Sequence, residues 1–259
     1  MKKSRLSLIV AIIFLVLALL AVLAPVFAYL GLEFLSDPIY GFFQWFCHQR
    51  PWRSYHMFDY QYAIDARMIT MFFSIGIGGL LVYYKGLKQL KIKSMILLLL
   101  LMLIPMAIDG VTQAIAEVTA VNSPDVLPFY ESTNFIRSIT GIFAGTGIAF
   151  IVFPFLNYHQ ELKVTNSSIQ NYIKPMIITF FATFILIPLM VLLWSVTSDK
   201  YKPSSLLIDF EQRFPGYNYE ITTGAGHSTI IRVINGPTKL YEQRAKYFEK
   251  DEYLKEQKN

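Results

Sequence analysis

The run IKSMILLLLLMLIPMAIDGVTQAIA, residues Ile92–Ala116, decides the fold. A helix needs about 20 apolar residues to cross the roughly 30 Å hydrocarbon core of a bilayer. This run has 25, with charges only at Lys93, near one end, and at Asp109. Four other runs share its character: Leu6–Leu30, Ala63–Tyr84, Asn134–Leu156 and Ile173–Val196. The expectation is an all-α membrane bundle of about five transmembrane helices over residues 1–196. The composition agrees, with 54% hydrophobic and 16% charged residues, against about 25% charged in a typical soluble domain. It excludes a disordered chain and argues against an ordinary soluble enzyme.

Charge is unevenly spread. Residues 197–259 hold 19 of the 41 charged residues, ten basic and nine acidic. That near balance, without a basic stripe, gives no sign of nucleic-acid binding. The single cysteine excludes an internal disulfide and a CxxC zinc site made by this chain alone. A signal peptide is the alternative reading of the first run, with Val26-Phe27-Ala28 as its cleavage site, but the run is longer than such peptides usually are.

Lysines and arginines orient the bundle. Lys2, Lys3 and Arg5 precede the first span, Lys85, Lys88, Lys91 and Lys93 fill the second loop, and Lys163 and Lys174 border the fourth. The opposite side has Arg50 and Arg53, and the segment from Glu117 to Thr133 has no basic residue. The positive-inside rule then predicts a plasma-membrane protein with a cytoplasmic N-terminus and an extracytoplasmic tail. The tail, 197–259, reads as a small α+β unit. A short helix is expected over Pro203–Phe214, two strands over Asn218–Thr223 and Ser228–Ile234 around Gly224-Ala225-Gly226, and a charged helix over Thr238–Gln257. A unit of about 60 residues is marginal alone, so it is expected to lean on the membrane part or on a protein partner. No internal repeat supports an inverted-repeat transporter.

Ionisable residues inside spans are costly and find partners. Asp65 and Arg67 open the second span, Arg137 lies three residues inside the fourth, and Asp109 lies about 10 Å below Ala116 at 1.5 Å per residue. All four fall in the outer half of the bilayer and their formal charges cancel. Asp109, Gln113 and Glu117 share one helix face; Asn134, Arg137, Gly141 and Gly145 form a stripe on the next span. Gly141 and Gly145 are a small-xxx-small pair that admits another helix. A shared polar cluster follows, either a structural lock or a site for a ligand, proton or reaction.

The first outer loop is the other rich region. Asp37-Pro38 opens a short aromatic stretch, Ile39–Phe46, suited to the membrane interface. It leads to Cys47-His48-Gln49-Arg50-Pro51-Trp52-Arg53-Ser54. Cys and His are metal ligands, but adjacent residues share one ion only from an irregular turn. A buried thiol and a hydrogen-bonded imidazole are the plainer alternative.

Together these motifs resemble a bacterial and archaeal membrane family, the domain-of-unknown-function family numbered two thousand and eighty-five. Its pattern runs CHQ-x-x-x-RS, CARC-x-G, P-x-A-x-DG-x-x-Q and ESTN-x-x-R-x-x-TG. The corresponding residues are Cys47-His48-Gln49 with Arg53-Ser54; Asp65-Ala66-Arg67-Met68; Pro105, Ala107, Asp109-Gly110 and Gln113; and Glu131-Ser132-Thr133-Asn134 with Arg137 and Thr140-Gly141. The match covers about residues 40–150. In the family the CxxC pair would join the CHQ cysteine in a set that looks like a metal site. Here Asp65 and Met68 replace that pair, so the resemblance leaves Cys47, His48, Asp65 and Met68 as a changed metal set, for an ion such as zinc or copper. The blocks on the third and fourth spans are intact. The family brings no activity with it.

Three functions follow. A binding or transport-accessory component would hold a small anionic ligand, a lipid headgroup or a metal ion at Asp109, Gln113, Arg137, Asn134, Glu131, Arg53 and Arg67. A structural subunit would use the same residues only to lock its helices. A membrane enzyme on a lipid-linked substrate would use Asp109 or His48 as base, but the chain has no P-loop, HExxH or GxSxG signature.

Overall fold

A computed structural model of the chain describes residues 4–47, 53–122, 130, 132–158, 167–198, 218–223, 229–235 and 254–256. The helices are α1 (Arg5–Tyr29), α2 (Glu33–Gln44), α3 (Ala66–Lys85), α4 (Ile92–Asn122), α5 (Asn134–Asn157), α6 (Gln170–Phe184) and α7 (Leu186–Thr197). Strands β1 (His56–Met57) and β2 (Tyr60–Gln61) form a hairpin between α2 and α3. Five helical stretches are long and apolar enough to cross a membrane: Arg5–Tyr29, Ala66–Lys85, Ile92–Ala116, Asn134–Asn157 and Gln170–Thr197. The protein is a helical membrane bundle.

Helix starts follow local chemistry. The Ser4, Asp65 and Thr133 side chains accept from the amides of Leu6, Met68 and Ile136, capping α1, α3 and α5. Gly86 ends α3 in the left-handed conformation, at φ 61°. The fifth span, expected as one helix, is interrupted at Ile185. Pro188 has no N–H to give the Phe184 carbonyl, so the regular ladder fails there. The third span runs past its expected end at Ala116 to Asn122. Asp37-Pro38 lies inside α2 rather than at its start. Phe34, Phe42, Trp45 and Phe46 are exposed around α2, as an interfacial helix requires.

The bundle is sorted for lipid rather than water. On α1, Ser7, Ala11, Ala18, Ala21 and Ala24 are buried, while Leu6, Ile9, Ile12, Ile13, Val16 and Leu19 face outward. Lipid tails are as apolar as leucine, so small side chains that permit close packing go inside. Helices α3 and α5 form the centre and pack most extensively on each other. Their approach rests on Gly141 and Gly145. A methyl at Gly141 would collide with the Arg67 carbonyl and the Thr70 hydroxyl, and one at Gly145 with the Met71 carbonyl. The small-xxx-small expectation is met, with α3 as the partner.

Two apolar clusters divide the interior. One gathers Ala21, Phe43, Cys47, Tyr55, Tyr62 and Trp194 near the hairpin. The other gathers Ala11, Ile75, Leu90, Phe150, Phe153 and Tyr172 towards the lysine-rich end. At that end Asn157 ties three helices. It accepts from the Ser7 hydroxyl, donates to the Val82 carbonyl at 3.2 Å, and its own carbonyl accepts from the Ser4 amide at 2.9 Å.

In the tail, β3 (Asn218–Thr223) pairs antiparallel with β4 (Thr229–Asn235), in agreement with the expected hairpin. Strand β5 (Leu254–Glu256) runs parallel to β4. It falls in the stretch expected as the charged helix Thr238–Gln257, so the end of that helix is corrected to a strand, whose Leu254 faces Ile231 in the register. The expected helix Pro203–Phe214 and the Gly224–Gly226 turn lie outside the described residues.

Candidate functional site

The polar residues at the start of α3, the far part of α4 and the start of α5 form one network. Arg67 Nη2 makes an ion pair with Asp109 Oδ2. The Ser132 hydroxyl donates to the same oxygen at 2.9 Å, and the Tyr130 hydroxyl donates to Asp109 Oδ1. Both oxygens of a carboxylate only 4% exposed are therefore engaged by three donors. The segment before α5 is thereby strapped to α3 and α4. Arg67 lies along Gly110, its Nη1 3.6 Å from where a methyl would sit, and remains 22% exposed. Its side chain is the less buried half of the ion pair.

Arg137 belongs to the same site. It is buried and donates to Asn134 Oδ1 at 3.1 Å. Its charge acts on the Tyr130 hydroxyl, as does that of Asp109. Burial first, then the hydrogen bond to Asp109, raise the Tyr130 pKa above its ordinary value, while Arg137 works the other way. Tyr130 thus bonds to the carboxylate and feels the charge of the second guanidinium.

Asn134 links this network to the segment between α2 and β1. Its Nδ2 donates to the Ser54 carbonyl at 3.1 Å, which brings the chain at Arg53 to the start of α5. The Tyr55 hydroxyl shares a hydrogen bond with Ser138 Oγ at 2.8 Å. Below, the Thr70 hydroxyl donates to the Ser138 carbonyl at 3.0 Å, sealing the α3–α5 seam. Gln113, one turn beyond Asp109 on α4, is buried. Glu131 lies outside the described residues.

Three residues of the expected metal set, Cys47, Asp65 and Met68, fall within the described residues. Asp65 Oδ1 accepts from the Met68 amide at 2.7 Å and so caps α3. Cys47 is buried in the apolar cluster against which Met68 packs. His48 lies outside the described residues. Among the described residues no group of three or more His, Cys, Asp and Glu side chains could hold an ion. Arg67, for its part, turns to Asp109.

The hairpin is a feature the sequence did not announce. Its tip, Phe58-Asp59, has φ of 55° and 65°, a turn usually built on Asn-Gly. The structure over-determines this conformation. Phe58 stacks on Tyr29 at 4.3 Å, its amide donates to Thr197 Oγ1 at 3.2 Å, and the Asp59 amide donates to Ser198 Oγ at 3.1 Å. Behind it His56 is buried with its ring 5.0 Å from that of Trp194. Burial lowers the His56 pKa to about 4, against smaller raising effects of Asp59 and a hydrogen bond with the Ser54 backbone. Tyr130 and Ser132 were likewise missed as partners of Asp109. The only signal was that Ser132 belongs to the Glu131-Ser132-Thr133-Asn134 block.

Comparison with known proteins places this site in a family context. The family described as predicted membrane protein (DUF2085) matches residues 47–151, the stretch that carries Arg67, Asp109 and Arg137. An uncharacterized protein of Methanocaldococcus jannaschii is 36% identical over 160 residues, which are 60% of this chain and 93% of that protein. No solved structure matches.

Proposed function

The chain belongs to the DUF2085 family of predicted membrane proteins, and from that premise we propose that it is a binding component of the plasma membrane. Its Arg67–Asp109–Arg137 site holds an anionic group, a phosphate or carboxylate, in the outer leaflet. One observation carries this reading: the partly exposed Arg67 pairs with the buried carboxylate of Asp109, while the buried Arg137 adds a second positive charge that acts on Tyr130, itself a donor to that carboxylate. Guanidinium suits bidentate pairing with such anions, and the outer-leaflet depth suits a lipid headgroup. Asn134, which ties the chain next to Arg53 to the start of α5, borders the site. The lysine-rich end faces the cytoplasm on this reading, and the odd number of spans puts the tail outside, where it is free to meet a protein partner.

A second reading has its own support. Three donors on Asp109 are what a helix lock needs, and a buried ion pair broken on one side is strongly destabilising. The enzyme reading would use Asp109 as base while three donors hold it, or His48, which lies outside the described residues. Purified full-length protein in nanodiscs, titrated with anionic lipid, inorganic phosphate and short carboxylates, separates the first two. Binding is expected to weaken about tenfold in Arg67→Gln while the protein stays folded, the loss of one charge-assisted pair. If no anion shifts the unfolding temperature of the native protein and Arg67→Gln only lowers it, the cluster is a lock.

A further inference from the structure

At the other end of the bundle the structure forms a second basic recess. It lies between the end of α3, the α3–α4 link and the start of α6, with a volume of about 530 Å³. Lys85, Gly86, Lys88, Ser167, Ser168 and Asn171 line it, with no acidic residue among the described residues of its lining. Its frame is fixed by three bonds between elements. The Ser167 amide donates to the Gln89 carbonyl at 2.8 Å, the Tyr172 hydroxyl to the Lys88 carbonyl at 2.5 Å, and the Tyr158 hydroxyl to the Gly86 carbonyl at 3.0 Å. Asn171 Nδ2 reaches Ser167 Oγ at 3.3 Å, so the polar groups of the floor are held together. Exposed Ile92, Ile96, Ile169 and Ile173 mark where lipid-facing surface begins beside it. The recess therefore adjoins the apolar outer face of the bundle.

We propose that this recess is a binding site for a phosphate-bearing anion, with Lys85 and Lys88 supplying charge and Ser167, Ser168 and Asn171 supplying hydrogen bonds. Lysines at this end also serve membrane orientation, but orientation does not call for a concave wall of hydroxyls and an amide on a fixed backbone. The start of α6 contributes in the same sense, since the N-terminal end of a helix carries partial positive charge. The site is separate from the Arg67–Asp109–Arg137 cluster and stands or falls without it.

The test uses the full chain in nanodiscs of phosphatidylcholine, with or without phosphatidylglycerol, and in phosphatidylcholine with inorganic phosphate in the buffer. The unfolding temperature and lipid adducts seen by native mass spectrometry are read in native protein, in Lys85→Ala/Lys88→Ala and in Lys91→Ala/Lys93→Ala. The last pair removes the same charge from the start of α4, outside the recess. Stabilisation by phosphatidylglycerol alone identifies a lipid headgroup; stabilisation by inorganic phosphate identifies a free anion. In either case Lys85→Ala/Lys88→Ala is expected to weaken the effect about fivefold per lysine, with Lys91→Ala/Lys93→Ala near native. Equal loss in the two pairs would reduce the effect to diffuse surface charge and overturn the site. So would stabilisation by neither ligand.

Discussion

At the scale of single residues, the decisive facts concern which polar groups answer one another. Asp109→Asn keeps the shape of the side chain but leaves Arg67 facing a neutral amide. We expect a loss of about 3 kcal/mol, at the low end for a broken buried pair because Arg67 is partly exposed. Denaturant unfolding in detergent checks it, and an unchanged midpoint would refute the ion pair. Asn157→Ala should lose about 1–3 kcal/mol, since it strips Ser7 and the Val82 carbonyl of a buried partner. His56 gives a pH signature. Above pH 6.5 it is neutral folded and unfolded. As pH falls, the unfolded imidazole takes a proton that the folded one refuses until about pH 4. Stability is therefore lost from about pH 6.5 downward, by up to about 3 kcal/mol at pH 4. His56→Gln should flatten that part of the profile, and an unaltered slope would contradict the burial. The site residues were legible here only by type and depth. That Asp109, Gln113 and Arg137 would be buried followed from where they fall in apolar spans. That Arg67 rather than Asp65 faces Asp109 did not, because a residue two positions away at a helix start can equally well turn back and cap.

At the scale of elements, hydropathy located the spans within a few residues but left their inward faces open. The faces follow small residues instead. On α1 the buried stripe is serine and alanine, and on α5 the line of contact with α3 runs through Gly141 and Gly145. Gly141→Ala should cost about 1–3 kcal/mol, because a methyl meets backbone and a hydrogen-bonded hydroxyl that have no room to move. A thermal shift no larger than that of Gly41→Ala, at a site with open space around it, would show that α3 and α5 are not so closely seated. The short hairpin escaped the sequence because its tip carries Phe-Asp where turn chemistry favours Asn-Gly. Its shape comes from the ends of α1 and α7, which are distant in sequence and touch it only after folding.

At the scale of the whole molecule, polar chemistry collects at the two ends of an apolar bundle. One end holds the Arg67–Asp109–Arg137 cluster, and the other the lysine-lined recess. Each draws residues from at least two helices, so neither exists before the helices associate. The sequence by itself determined that the chain is a membrane protein and where its five stretches long and apolar enough to cross lie among the described residues. It also located the costly charges within or beside those stretches, because that placement depends on local length and polarity alone. Only the tertiary structure decided the partners: Arg67 with Asp109, Tyr130 with Asp109, and the α6 start against the α3–α4 link. The reason is physical. Pairing depends on helix rotation and approach, and these are set by contacts between small residues far apart in the chain, which no local property of the sequence encodes.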